Sequence, residues 1–259
     1  MSENKNKTIK NFGYLTEPIK IDEDYVFGGL SLLPKTILQE NGDWTPYLPQ
    51  EELQRIKIET QACTSFGTLN CVEIILNKLG TNKNFSDRWL AWNAGTDPLS
   101  GNTPQRVAET LRKTGVPFQP KWDFTSDIDT PEKFYINPPV KLFDDAKEDF
   151  NYEFGHEYVP TSEFSLRDAL RYSPLGVSVS AWQSDGEFYV KPEGMRDNHW
   201  CVCYGFDNEK KAWRIFDSYD NSKKLYKGQF EVAKRYSVSL STPKRTFLTR
   251  LKDLFVLIF

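Results

Sequence analysis

Apolar residues recur at helical spacing in the first half of the chain and at alternate positions in the second half. The clearest helical stripe places them three or four residues apart, at Phe66, Leu69, Val72, Ile75 and Leu79. Because this spacing puts side chains on one face of a helix, the pattern predicts a helix from Cys63 to Gly80. Gly80 directly follows the last apolar residue and is a helix-stop signal.

Two shorter helices are predicted further along the chain. Residues 103–115 have Thr103 as the N-cap candidate and Gly115 as the stop. Residues 165–173 predict a third helix, with Ser165 as its N-cap.

Further along the chain, the apolar residues recur at every second position instead. Residues 176–182 alternate apolar and hydroxyl side chains, which predicts a half-buried strand. Residues 199–206 and 211–219 predict two more strands, joined by a polar turn. Since helices precede strands along the chain, the sequence predicts an α+β architecture, with a cleft between a helical half and a strand-rich half.

The composition describes a folded protein and excludes one class of partner. The length of 259 residues suits one large domain with appendages. Aromatic residues make up 14% of the chain, so the core is expected to rely on Phe, Tyr and Trp. The net charge is -3 and no basic stripe is present, so we expect no nucleic-acid partner.

The chain shows neither a secretory signal nor a membrane-spanning segment. A polar, Lys- and Asn-rich stretch follows Met1, and no apolar run reaches the length that a transmembrane helix needs. Four cysteines, at positions 63, 71, 201 and 203, form no disulfide framework at this length. We therefore expect a reducing environment and a cytoplasmic or virion-associated protein.

Three segments are expected. Residues 1–43 read as an N-terminal arm and wrapping segment, of which residues 1–12 look flexible. Residues 44–242 form the predicted domain. Residues 243–259 are a basic and apolar amphipathic tail, which is expected to dock on the body, on a protein partner or on a membrane surface.

One cysteine, one histidine and one aspartate stand where catalysis could use them. A nucleophilic cysteine needs a base to take its proton and a third group to orient that base. Cys63 begins a predicted helix, where the helix dipole favours a thiolate. His199 begins one predicted strand, and Asp217 ends the next, so pairing of the two strands would bring their side chains together.

Each of these residues also has a structural interpretation. Cys63 could be a small buried apolar residue, as we expect for Cys71. Asp217 could be a solvated turn residue, with Asn198 and Asp220 as competitors for its role.

A metal site and a second functional histidine are not expected. Cys201 and Cys203 lie close to His199, but one strand face lacks the second ligand pair of a zinc site, so we predict no metal and no cofactor. The other histidine, His156, reads as a surface or loop residue.

These stretches resemble the papain-like cysteine peptidases. The segment QACTSFGTLNCVEI, from Gln61, resembles the family's oxyanion glutamine, nucleophile and central helix. Residues 85–117 resemble the stretch that holds its substrate-binding loop. Residues 198–207 (NHWCVCYGFD) and 213–220 (WRIFDSYD) resemble the strands of its histidine and third catalytic residue. The match runs in order over about residues 44–235.

The resemblance implies a two-lobed α+β fold and a cysteine endopeptidase that hydrolyses polypeptides through an acyl-enzyme. It implies Cys63, His199 and Asp217 as the triad. It also implies Gln61 as the oxyanion donor, with Gln54 as the alternative. Gly101 and Asn102 are implied to pair with the substrate backbone: these two residues would act as a short strand edge.

The chain departs from the family pattern at several positions. Asp217 replaces the usual Asn, Tyr219 the usual Trp, and Thr64 the Trp that usually follows the nucleophile. Gln61 lies only two residues before the cysteine, and Gly101 and Asn102 stand where a double glycine is usual. No prosegment of the usual length and helical kind is evident. The chain therefore resembles a divergent member of phage or bacterial type.

Two other functions fit the same residues. The chain could be a catalytically degenerate papain-like module with a structural or interaction role in an assembly such as a virion. It could also be a cysteine amidase that acts on cell-wall peptide, although the interval of 136 residues between Cys63 and His199 exceeds that of the small wall amidases.

Overall fold

The computed structural model describes residues 10–19, 26–28, 33–220 and 223–240. Six α-helices lie in this part of the chain: α1 (Cys63–Lys78), α2 (Asp87–Asn93), α3 (Pro104–Thr114), α4 (Pro131–Phe134), α5 (Leu142–Asp149) and α6 (Glu163–Ala169). Short 3-10 helices cover Thr45–Tyr47 and Gln119–Lys121.

Eight strands of the described residues form one sheet. They are β1 (Tyr152–Tyr158), β2 (Leu175–Val179), β3 (Gln183–Ser184), β4 (Tyr189–Val190), β5 (His199–Asp207), β6 (Ala212–Phe216), β7 (Lys223–Tyr226) and β8 (Ala233–Leu240). Their order across the sheet is β1-β8-β2-β5-β6-β7-β4-β3, and all neighbours are antiparallel except β4 and β7. Five of the described α-helices precede β1 along the chain, which confirms the predicted α+β class.

The predicted long helix is α1, and it is buried on every side rather than along one stripe. All its residues from Cys63 to Leu76 are buried, between the other helices and the inner face of β5 and β8. The helix ends close to the predicted stop, since Gly80 has φ +82° and its N–H donates to the Asn77 carbonyl. α1 is thus the central element of the core.

Helix caps follow the predicted chemistry, with one correction. The Thr103 hydroxyl accepts a hydrogen bond from the Arg106 N–H and begins α3, as the sequence predicts. The prediction of Ser165 as the cap of α6 is wrong. Ser162 caps that helix instead, and its hydroxyl accepts from the Ser165 N–H at 3.2 Å.

The central strands are buried on both faces. β2 was predicted to be half-buried because Ser178 and Ser180 alternate with apolar residues, yet both serines are buried. Ser178 is satisfied there because its hydroxyl donates to the Asp197 carboxylate at 2.6 Å. The sequence also shows no pattern that predicts β1 or β8, which pair along the edge of the sheet.

The N-terminal segment is packed on the body where it is described. The prediction that residues 1–12 are flexible is wrong for residues 10–12, since the Phe12 N–H donates to the Asn198 carbonyl and the Asn198 amide donates to the Lys10 carbonyl. The predicted tail, 243–259, lies outside the described residues. In the described part of the chain, no helix has the length and hydrophobicity to cross a membrane.

Gly115 allows α3 and α5 to approach closely. A methyl group on Gly115 (φ +70°) would lie 2.3 Å from the Ala146 carbonyl oxygen, whereas one on Gly80 (φ +82°) would meet no atom within 4 Å. We expect Gly80→Ala to cost about 1 kcal/mol from the left-handed backbone alone. Gly115→Ala should cost about 2–4 kcal/mol, because overpacking adds to that strain. Urea unfolding of both variants measures the difference, and equal losses would contradict the packing account.

Candidate active site

Cys63 is the first residue of α1 and is fully buried. Its N-cap, Ala62, makes no side-chain capping bond. The first N–H groups of a helix have no partner within the helix, and the helix dipole places partial positive charge there. The Cys63 sulfur and N–H therefore stand where a thiolate and a developing oxyanion are both stabilised.

A close contact between α1 and β5 brings His199 to the cysteine. A methyl group on Gly67, one turn into α1, would lie 2.8 Å from Cδ1 of Trp200. Only glycine permits that approach, and Trp200 directly follows His199 at the start of β5. Helix and strand are thus fixed against each other within one turn of both candidate residues.

His199 and Asp217 form a buried hydrogen-bonded pair. Nε2 of His199 lies 2.6 Å from Oδ1 of Asp217, and neither side chain is exposed. Because Nε2 is bound to the carboxylate, the ring interacts with the Cys63 thiol through its other nitrogen, Nδ1. Nδ1 is buried and makes no hydrogen bond within the described part of the chain. The structure thus brings together the three residues predicted from the sequence.

The charges of the site favour an imidazolium. Burial is the largest influence on His199 and opposes protonation, but the Asp217 carboxylate and the Cys63 thiol outweigh it and raise the pKa of His199 to about 10. Burial likewise opposes ionisation of Asp217, yet His199 and Lys224 hold the pKa of its carboxyl below the usual value. Of the two competitors, Asn198 is occupied elsewhere, since its side chain bonds Ala181 and Lys10, and the Asp220 carboxylate pairs with Lys224.

Lys224 is a member of this cluster that sequence reasoning missed. Its Nζ lies 2.7 Å from Oδ2 of Asp217, and its side chain is fully buried. Lys223 and Lys224 are adjacent in the sequence, and lysine side chains are usually exposed to solvent. The signal was alternation along β7, which places Lys224 on the same inward face as Tyr226.

Aromatic rings enclose the imidazole. The ring centroids of Phe12, Trp182 and Tyr219 lie 5.8, 5.9 and 6.1 Å from that of His199, all in edge-to-face geometry. Tyr219 packs on one side of the imidazole. Trp182, which the sequence did not single out, packs on another side. These rings exclude water from the hydrogen bond between His199 and Asp217.

The two candidate glutamines lie in different places. Gln54 is fully buried, and its Nε2 donates to the Phe12 carbonyl at 3.2 Å and to Glu59 at 3.1 Å, while its Oε1 accepts from Ser218. Gln61 is held in the left-handed region at φ +57°, and its buried Oε1 has no partner among the described residues. The side-chain amide that meets a backbone carbonyl beside His199 is therefore that of Gln54.

Residues 10–15, here called the strap, lie across the site. The Asn102 N–H donates to the Gly13 carbonyl at 3.0 Å, and the Leu15 N–H donates to the Asn102 carbonyl at 2.9 Å. Tyr14 and Asn102 thus form a parallel β-bridge, with Gly101 packed against Gly13. The residues predicted to bind a substrate backbone already bind a backbone of the chain itself.

Tyr14 fills the space beside the cysteine. Its ring is 3% exposed and stacks on Trp200, with centroids 5.8 Å apart. Cys63, Tyr158 and Val232 belong to the same buried cluster. The strap therefore contacts Asn102 on one side of the site and Trp200 on the other, and it accounts for the burial of the Cys63 sulfur.

The prediction that His156 lies on the surface or in a loop is wrong. It is buried in β1, and its Nε2 lies 2.9 Å from a carboxylate oxygen of Glu109. Burial, with the charge of Lys234, lowers the pKa of His156 to about 4 although Glu109 opposes this. His156 is thus a structural residue outside the cluster around Cys63.

The remaining cysteines are unpaired and buried, Cys71 in the core as predicted. Burial raises the pKa of Cys71 and Cys201, and that of Cys203 to about 12. Among the described residues, no group of three or more His, Cys, Asp and Glu side chains is placed to hold a metal ion.

Solved cysteine protease structures share this fold. Xylellain, a cysteine protease from Xylella fastidiosa, superposes with a TM-score of 0.67 at 16% identity, over 90% of this chain and 97% of its own. A bromelain protease from Ananas comosus gives 0.59 at 17% identity, over 76% and 98%. The clostridial cysteine protease Cwp84 after propeptide cleavage gives 0.60 at 15% identity, over 75% and 56%.

No family model and no curated protein matches the sequence. The likeness at these identities establishes the fold: the chain has the papain-like α+β architecture that the sequence predicts.

The two histidines should titrate on opposite sides of neutrality. His199 (about 10) has a folded pKa above the unfolded value of about 6.5, so its contribution to stability is complete below pH 6.5 and lost towards pH 10. His156 (about 4) has a lowered pKa, so its contribution is present above pH 6.5 and lost as pH falls through 4. Nitrogen-15 NMR of histidine-labelled protein, assigned with His156→Gln, measures both. Two transitions near pH 6.5 would contradict this electrostatic account.

Proposed function

We propose that the protein is a cysteine endopeptidase that uses Cys63, His199 and Asp217. One observation carries the proposal: a cysteine at the N-terminus of the central helix shares a buried cluster with a histidine whose far nitrogen is bound to a carboxylate at 2.6 Å. The papain-like fold supports the same conclusion.

The proposed reaction begins with transfer of the Cys63 proton to Nδ1 of His199. The thiolate attacks the peptide carbonyl carbon, and the tetrahedral intermediate collapses as the C–N bond breaks. His199 gives its proton to the leaving amine, which leaves a thioester on Cys63. Water, deprotonated by His199, then hydrolyses the thioester and restores the thiol. Asp217 holds the ring so that Nδ1 faces the sulfur throughout.

We assign the oxyanion donors to the Cys63 N–H and to Nε2 of Gln54. Gln54 already donates to one backbone carbonyl in the site, and the Cys63 N–H is a helix N-terminal donor without an intrahelical partner. Gln61, the first candidate from the sequence, has no such contact among the described residues. The alternative donor, Gln61, is distinguished from Gln54 by substitution of each residue.

The strap must leave before a substrate can bind. It occupies Asn102, covers Cys63 and places Phe12 against His199. We propose that substrate enters by displacing residues 10–15 and forms the same backbone hydrogen bonds with Asn102.

The function is tested by peptide hydrolysis with purified protein. We expect Cys63→Ala and His199→Ala to abolish cleavage of a peptide library. Gln54→Ala should lower kcat by about 10²–10³-fold, because one oxyanion donor is lost, while Gln61→Ala should lower it by less than about tenfold. A larger loss for Gln61→Ala than for Gln54→Ala would reverse the oxyanion assignment.

Two outcomes would replace the proposal itself. If Cys63 reacts with no thiol reagent at neutral pH once the strap is displaced, the chain is a catalytically degenerate module. If wall fragments are cleaved and polypeptides are not, it is a cysteine amidase.

Displacement of the strap should expose Cys63. A methyl group on Gly13 (φ +105°) would lie 2.3 Å from the Gln61 carbonyl oxygen. The strap therefore cannot keep its position in the Gly13→Ala variant. We expect iodoacetamide to alkylate Cys63 at least about tenfold faster in this variant, as followed by peptide mass spectrometry, because burial limits access in the parent. Gly28→Ala is the matched control, since Gly28 (φ +83°) has no atom within 4 Å of the added group. Equal rates in the two variants would show that the strap does not cover the thiol.

A further inference from the structure

The Asp217 carboxylate is shared between two cations. Oδ1 lies 2.6 Å from Nε2 of His199, and Oδ2 lies 2.7 Å from Nζ of Lys224. All three side chains are fully buried. A buried carboxylate with one partner would leave its second oxygen unsatisfied, and Lys224 supplies the missing donor.

The sheet fixes Lys224 in this position. β7 pairs with β6 in a register that sets Lys224 opposite Ile215, two residues before Asp217. The Lys224 ammonium also bonds Asp220, through both the side chain at 2.9 Å and the backbone carbonyl. It lies 5.0 Å from the ring centroid of Trp182, the same indole that packs against His199. The lysine is thus built into the wall that holds the imidazole.

The charge of Lys224 changes what Asp217 can do. The resembling peptidases use a neutral Asn at this position, which accepts a hydrogen bond from the ring without stabilising its positive charge as a carboxylate does. An unscreened buried carboxylate would hold the imidazolium proton tightly and make it a poorer acid for the leaving amine. A carboxylate and an ammonium together carry no net charge.

We propose that Lys224 is a positioning residue of this site. Its ammonium cancels the charge of Asp217 and directs Oδ1 of that carboxylate towards His199. The buried pair of Asp217 and Lys224 therefore acts as one neutral hydrogen-bond acceptor for the imidazole. The proposal rests on the proposed function for its consequence in catalysis, while the electrostatic coupling exists with or without peptidase activity.

Other groups around His199 do not replace Lys224. Lys10 and Arg55 donate to the Tyr219 hydroxyl, at 2.7 and 3.2 Å. Among the described residues, the titratable and charged groups that face the cluster include Cys63, Cys201, Tyr189, Tyr219, Asp220, Lys10 and Arg55. Among these, Cys63 acts on the ring directly and Asp220 acts on Lys224.

The test is the titration of His199 in Lys224→Met, Asp217→Asn and the double variant, by nitrogen-15 NMR. Removal of the lysine alone should raise the His199 pKa by about one to two pH units, because one nearby buried cation is lost. Asp217→Asn alone should lower it by at least about two units. The double variant should lie closer to the parent than Asp217→Asn does, since removing both charges restores neutrality.

A purely structural lysine would give another pattern. Lys224→Met would then lower the free energy of unfolding and leave the His199 titration unchanged, which would overturn the proposal. If Lys224→Met does not fold, the double variant decides: a His199 pKa equal to that of Asp217→Asn overturns it as well. The high-pH limb of kcat/KM should move with the NMR titration. Absence of peptidase activity would refute the proposed function and leave the NMR result to decide on Lys224.

Discussion

The structure of the site depends on one buried carboxylate. Asp217 is out of contact with water, and an isolated charge in that position would carry a large desolvation penalty. It is tolerated because His199 and Lys224 each supply a donor, below 3 Å, to a different oxygen. The same two bonds orient the imidazole and close the wall of the site. Stability and orientation therefore come from a single group.

The fold delivers these groups from elements that are far apart in the sequence. The N-terminus of α1 supplies the thiol, β5 the imidazole, the end of β6 the carboxylate and β7 the ammonium. Contact between Gly67 and Trp200 locks α1 to β5. Rigid elements rather than loops thus carry most of the site, as precise placement of reacting groups requires. The strap is the exception, and it binds through the backbone and two aromatic side chains.

Much of this arrangement can be read from the sequence, because its signals are local. The stripe after Cys63, the alternation before His199 and the position of Asp217 each predict an element and an end of that element. The spacing of Cys63, His199 and Asp217 along the chain then predicts that their side chains form one cluster. Gly80 and Thr103 mark the limits of helices through backbone geometry and capping, which depend on neighbouring residues alone.

The parts that sequence reasoning missed depend on tertiary contacts. Lys224 looks solvated until the neighbours of β7 are known, and His156 looks exposed until β1 is paired with β8. From the sequence, Gln54 is only the alternative to Gln61, because the path of the loop between Gln54 and Cys63 is set by tertiary contacts. The strap has no helical or strand pattern, since it is ordered by the hydrogen bonds of Asn102 and Asn198 rather than by its own sequence.

The most direct test of the account is covalent labelling of Gly13→Ala protein with a peptidyl vinyl sulfone, which an activated thiolate attacks. Intact-protein and peptide mass spectrometry locate the adduct. The account predicts one adduct per chain, on Cys63, and its loss when His199→Ala is added to the same background. Labelling at another cysteine, or none at Cys63, would contradict the assignment of Cys63 as the nucleophile.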